Sequence, residues 1–233
     1  MRKNTRRGRR KTKTFNDPIP KTSSLEEFQE LYSGKANRKV MKKTTIFTED
    51  EASSFLYFVI SGKVKIYTTN KDGKEFIRQI YKKGDFFGYL SLLDKECRYR
   101  ETATAIEDSE IAMIPKEDFY TLLYSNNEAS MRFIQLLTNN LADAQKKLLN
   151  MAYSSAKRRV VEALLFLYQK YKNDKEGNHS FPFHRENISA IAGIALESTS
   201  RNLKSLKDEG LIETSRLGNI RIIDLKKLED LIR

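Results

Sequence analysis

From about Val40 to Ile114 the chain alternates apolar and polar positions in short runs. Phe55, Tyr57 and Val59 form one run, and Val64 and Ile66 form the next after Ser61-Gly62. A period of two buries one face of a strand and wets the other. Lys71-Asp72-Gly73-Lys74, set between IYTT and EFIRQIY, reads as a hairpin turn. Gly84-Asp85 marks another turn, and Thr102 to Ala105 opens a strand that ends near Ile114-Pro115. Many short strands at regular spacing predict a compact β-barrel or roll. Ahead of them, Ser24 to Leu31 reads as a short helix with Ser24 and Glu27 set as a capping box.

The period then becomes helical. Lys116 to Tyr124 predicts a short helix and Glu128 to Tyr153 a long one. In the long one, Ile134, Leu137, Leu141, Ala144, Leu148 and Met151 step by alternating threes and fours. That is the a/d seam of a coiled coil, narrower than the stripe of a helix packed on its own domain. A parallel dimer helix is the preferred expectation, with packing inside one chain as the alternative.

Ile188 to Ile212, ISAIAGIALESTSRNLKSLKDEGLI, changes the picture most. Ile188, Ile191 and Ala192 have helical spacing, as do Leu203 and Leu206, and Gly193 suits a sharp turn between two helices. Glu197, Ser198, Ser200, Arg201 and Lys204 sit between the apolar anchors. This is the pattern of a helix-turn-helix whose second helix enters the major groove of DNA, against a plain helical hairpin with a solvated face. Leu211 to Ile223, with Gly218-Asn219 at its centre, reads as a two-stranded hairpin. A hairpin after such a helix favours a winged helix.

Charge adds less than its total suggests. The net charge is +12, but residues 1 to 21 carry +8 of it, residues 22 to 153 carry none and residues 154 to 233 carry +4. So basic a tail with so few apolar residues is expected to be disordered, either a solubilising leader or a non-specific nucleic-acid arm. The remaining basicity sits where DNA contact is expected. No apolar run reaches membrane-span length, and nothing resembles a secretory signal, so the expectation is a cytoplasmic protein with no membrane partner. Cys97 is the one cysteine, which excludes an internal disulfide or an iron-sulfur cluster from this chain. His179 and His184 lack further ligands of metal spacing, so no metal is expected. No Walker loop, His-Glu metal motif or nucleophile elbow is present, and no enzyme is expected.

Four segments, taken together, resemble the Crp/Fnr family of bacterial transcription regulators over about residues 25 to 233. They are FVISGKVKIY at 58 to 67, KKGDFFGYLSLLD at 82 to 94, ETATAIEDSEIAMIP at 101 to 115 and AKRRVVEALLFL at 156 to 167. The resemblance implies an α+β chain with a cyclic-nucleotide-binding-like β-roll, a long dimerisation helix and a C-terminal winged helix-turn-helix. The expected divisions are a disordered tail at 1–21, the roll at 22–127, the dimer helix at 128–153 and the winged helix at 154–233.

By the same resemblance, cyclic-AMP-binding members carry Gly-Glu where this chain has Gly88-Tyr89, and Arg-Ser where it has Tyr99-Arg100. The Glu accepts from a ribose hydroxyl and the Arg pairs with the cyclic phosphate. Aligning Thr102, Ala103 and Ala105 puts Tyr99 at the Arg position, and a one-residue slip on a strand turns a side chain to the other face. A phosphate without a counter-charge would lose several kcal/mol to desolvation, about the whole binding energy. No cofactor is identified, and a cyclic nucleotide is not the expected effector. Gly88, Tyr89, Tyr99, Arg100 and Thr102 are the expected lining of any pocket, which either takes an unknown apolar ligand or takes none.

The recognition helix keeps the family pattern E-x-x-S-R in Glu197, Ser200 and Arg201. Arg201 is expected to read a guanine, Glu197 a cytosine amino group and Ser200 a neighbouring base of a palindromic TTGA-like site. Ser198, Thr199, Lys204, Lys207, Arg216 and Arg221 are the expected backbone contacts. The expected partners are double-stranded DNA, a second copy of the chain and RNA polymerase. The competing reading is a cyclic-nucleotide sensor acting mainly through protein contacts.

Overall fold

Strand alternation in the first half produces two antiparallel four-stranded sheets. The computed structural model describes residues 37–172, 180–182, 184–215 and 219–232. The basic tail, the helix expected at Ser24 to Leu31, His179, Arg216 and Gly218 lie outside the described residues. One sheet has the order β1 (Asn37–Val40), β8 (Ser109–Pro115), β3 (Phe55–Ser61), β6 (Phe86–Phe87). The other runs β2 (Thr45–Phe47), β7 (Thr102–Ala105), β4 (Lys63–Thr69), β5 (Glu75–Lys82). Val59, Val64, Ile66, Phe87, Ala103, Ala105 and Ile111 fill the space between them. On β3 the alternate residues Leu56 and Phe58 face outward, onto Phe119 and Phe133 of the helices that follow. That strand is therefore covered on both sides, and its sequence is apolar almost throughout.

Three helices come next: α1 (Tyr89–Leu92), α2 (Lys116–Ser125) and α3 (Asn127–Tyr153). The Asn126 side chain caps α3 by accepting from the Glu128 and Ala129 amides. Ala129 and Phe133 bury the first turns of α3 against the roll, and Leu136 and Leu137 are partly buried there. Further on the seam is exposed: Ile134 at 54%, Leu141 at 61% and Leu148 at 68%, with Ala144 also exposed. Leu137 is thus shared with the chain's own roll, and Met151, at 37% exposed, also touches Gly193.

Ser154 and Ser155 then turn extended, and the Ser155 hydroxyl accepts from the Arg158 amide to start α4 (Ala156–Tyr171). The rest is α5 (Arg185–Ala192), α6 (Leu196–Asp208), β10 (Ile212–Thr214), β11 (Asn219–Ile222) and α7 (Leu225–Asp230). The expected two-stranded wing has a third strand, β9 (Ser180–Pro182), paired with β11. Val160, Leu164, Leu167, Ile188, Ile191, Leu203, Leu206, Ile220 and Ile222 form the core of this unit.

Ile77 and Ile80 of β5 belong to that same core. Three residues apart, they should lie on opposite faces of a strand. A bulge reconciles them: Ile66 pairs with Gln79 and Tyr67 with Ile77, so Arg78 is the extra residue. Arg78 and Tyr81 turn inward to the roll, while Ile77 and Ile80 face the winged helix. Lys147 of α3 donates to the bulge carbonyls, Ile77 O at 3.0 Å and Arg78 O at 3.3 Å. Burial, reinforced by the Arg78 charge, pushes the Lys147 ammonium down to about 8. Among the described residues no helix is long and apolar enough to cross a membrane.

Gly62, between β3 and β4, has φ +83°, and a methyl group there would lie 2.2 Å from Ser109 Oγ and 2.6 Å from the Asp108 carbonyl. Gly62→Ala is expected to cost at least about 2 kcal/mol and lower the melting temperature by roughly 4–8 °C. A thermal melt followed by circular dichroism checks this, and an unchanged midpoint contradicts it.

Candidate nucleic-acid interface

Helix α6 is built from its buried side outward. Thr199, Leu203 and Leu206 are buried, and their i, i+4, i+7 spacing defines the face packed on the core. Gly193, at φ +64°, ends α5 in the left-handed conformation that turns the chain toward α6. The opposite face carries Glu197, Arg201 and Lys204, all exposed, with Ser198 and Ser200 half-buried beside them. None of Glu197, Arg201 and Lys204 makes an ion pair among the described residues, so their polar groups are unspent. An exposed Arg fork, a carboxylate and a hydroxyl on one helical face can meet guanine, cytosine and a third base edge.

Thr199 does not fit its expected role. It is fully buried and its hydroxyl donates to Ala195 O at 3.1 Å, so it anchors the helix and faces away from any phosphate. Lys207 is exposed at the end of α6. Arg221 lies across the wing from Glu213, its cross-strand partner, at 3.8 Å. Both side chains are more than half exposed, so a phosphate could displace that weak pair. An unforeseen tie, Lys157 to Glu209 at 2.6 Å, fastens α4 to the residue after α6 and holds the Glu209 carboxyl below the usual range. The residues are far apart in sequence, so no local pattern announced the pair.

The roll interior is filled by its own aromatic side chains. Tyr99 stacks on Phe47 with centroids 3.7 Å apart, and Phe87 stacks between Tyr57 and Tyr81 at 5.0 and 5.6 Å. Tyr89, 2% exposed, meets Phe133 of α3 edge-on and accepts from Asn140 Nδ2 of the same helix at 2.5 Å. The Tyr99 hydroxyl donates to Phe55 O at 3.2 Å. Burial raises the Tyr57 and Tyr81 phenols well above their ordinary range, so both stay neutral donors.

Gly88, Tyr89 and Tyr99 line the remaining cavity, together with Arg78 and Glu101. Its volume is about 10 Å³, the space of roughly one water. Gly88 is needed at φ +83°, with Tyr57 only 3.0 Å from where a methyl would sit. Two of the expected lining residues lie elsewhere. Arg100 is exposed and pairs with Asp94 at 2.5 Å and Glu96 at 3.9 Å, because its neighbour Tyr99 takes the inward position. Thr102 is half-buried, outside the cavity lining, and its hydroxyl accepts from the Glu49 amide at 3.2 Å. The cation at this cavity is Arg78, which sequence reasoning missed. It donates from Nη2 to Glu101 Oε2 at 2.6 Å. Burial holds the Glu101 carboxyl above the usual range even beside that guanidinium.

Comparison with known proteins places this architecture. The cyclic nucleotide-binding domain matches residues 37–126 and the Crp-like helix-turn-helix domain residues 158–231. The cyclic AMP receptor protein of Thermus thermophilus is 29% identical over 186 residues, covering 80% of this chain and 83% of its own. The anaerobic regulatory protein of Bacillus subtilis is 27% identical over 201 residues, covering 85% and 84% respectively. The solved structure of FixK2 from Bradyrhizobium japonicum shares the fold, with a TM-score of 0.72 at 22% identity over 85% of this chain and 98% of that one. With both domains matched in this order and an outward-facing reading helix between its anchors, the chain belongs to the Crp/Fnr family of DNA-binding transcription regulators.

Proposed function

We propose that the protein works in the cytoplasm as a homodimer that reads an inverted repeat with TTGA-like half-sites and meets RNA polymerase there. The observation that carries this reading is the outer face of α6, where Glu197 and Arg201 are exposed with Ser200 half-buried beside them, on a helix anchored from behind. Two copies of α3, paired along Ile134, Leu141, Ala144 and Leu148, would set two such helices roughly one DNA turn, about 34 Å, apart. The exposure of those apolar residues supports the pairing, because water contact at several large side chains on one stripe is unfavourable.

The roll acts here as a platform rather than a cyclic-nucleotide receptor. Tyr99 and Tyr89 occupy the space, and Glu101 already neutralises Arg78. A cyclic phosphate entering would have to expel stacked rings and compete with Glu101 for the partly exposed Arg78 guanidinium. The same filling argues against a nucleotide sensor acting through protein contacts.

Selection of random duplex DNA by the purified, ligand-free protein tests the reading directly. Recovery of a palindrome with TTGA-like arms is expected, and recovery that depends on added cyclic AMP would overturn the effector half of it. Arg201→Ala is expected to lose about 1–3 kcal/mol of discrimination at one base position, read as relaxed selectivity there. Lys204→Ala should weaken binding on all sequences alike and reduce the salt slope by about 1. Leu141→Glu should shift the sedimenting species to a monomer and lower affinity for the palindrome by about a hundredfold. A Leu141→Glu protein that remains dimeric would move the interface off this seam.

A further inference from the structure

The winged helix joins α3 through Ser154 and Ser155, both extended. Two such residues alone would let α4 to α7 pivot about the end of α3. A contact on either side of that break removes the freedom. A methyl group built on Gly193, at the corner of the helix-turn-helix, would lie 3.5 Å from the Phe76 ring and 3.1 Å from Met151 Cε. Lys147 Nζ lies 4.5 Å from the centroid of the same ring. Phe76, near the tip of the β4–β5 hairpin, therefore touches α3 before the break and the helix-turn-helix corner after it. Just behind the ring, Lys147 holds the bulge carbonyls and Ile77 and Ile80 enter the winged-helix core.

We infer that Phe76 is a positioning residue: its ring fixes the angle between α3 and α6, and so decides whether both reading helices of a dimer reach their half-sites together. This rests on the dimeric inverted-repeat reading above. Phe76 itself makes no DNA contact on that reading. Its removal should leave one helix reading one half-site as before and should reduce only the advantage of engaging two.

The experiment compares two duplexes at fixed salt by fluorescence anisotropy: the full repeat obtained by selection, and the same duplex with one arm scrambled. Wild-type protein is expected to prefer the full repeat by about a hundredfold or more, and Phe76→Ala by only about tenfold, with half-site affinity unchanged. Phe76→Leu should recover most of the preference, and Lys147→Met should reduce it in the same direction as Phe76→Ala. A Phe76→Ala protein with the wild-type ratio overturns the inference. An equal loss on both duplexes also overturns it, because that marks a general folding role. If Phe76→Ala does not fold, an unchanged ratio in Lys147→Met overturns it instead. A wild-type protein without any preference overturns the dimeric reading first and this inference with it, and that result is visible before any variant is compared.

Discussion

A strand shows one parity to each side, so residues 77 and 80 of β5 should face opposite ways. The bulge at Arg78 turns them the same way, and both domains use the result. On one side Arg78 and Tyr81 close the roll, and on the other Ile77 and Ile80 enter the winged-helix core. Each of these two isoleucines is completely buried, worth about 1.5–3 kcal/mol as an upper estimate. The bulge is held from both sides, by Glu101 on the Arg78 side chain and by Lys147 on the backbone. A local disruption of the ladder thereby becomes the junction where roll, long helix and winged helix meet.

The two ends of this junction differ in kind. The roll end is polar, with a partly buried Arg-Glu pair and a Tyr81–Tyr89–Asn140 chain of hydrogen-bonding groups reaching α3. Such groups specify geometry closely, because each must find its partner or lose a desolvated bond. The winged-helix end is mainly apolar; its charges include the Lys63 ammonium, 4.2 Å from the Tyr171 ring centroid and paired with Glu107, and Lys170, which faces Asp85, Lys82 and Asp143. Apolar contact holds the domains together, and the polar network decides where.

The strands, the long helix and the helix-turn-helix were legible because each is a local period. Thr199 was legible too: it lies four residues before Leu203 and seven before Leu206, so it belongs to the buried stripe. That spacing leaves its hydroxyl no route to a phosphate. Arg100 was misplaced because it lies in the bend before β7, turned out to Asp94 and Glu96 while Tyr99 beside it is buried. The third wing strand, β9, spans three residues and pairs with a distant partner, so no run of alternation revealed it. Arg78 was invisible as a cavity residue because a bulge shifts parity without any sequence signature, and its partner Glu101 lies far along the chain, in the bend before β7.

The filled roll has a consequence for how such a regulator is governed. On the reading proposed above, a roll packed with its own tyrosines serves as a platform and takes no saturable small-molecule input at that place. On the reading proposed here, its occupancy of DNA follows the amount of protein in the cell. Pairing of two chains is second order in that amount, so promoter occupancy rises more steeply than abundance itself while monomers predominate. Synthesis and degradation of the chain then become the signal, and its lifetime sets how quickly the response can be withdrawn.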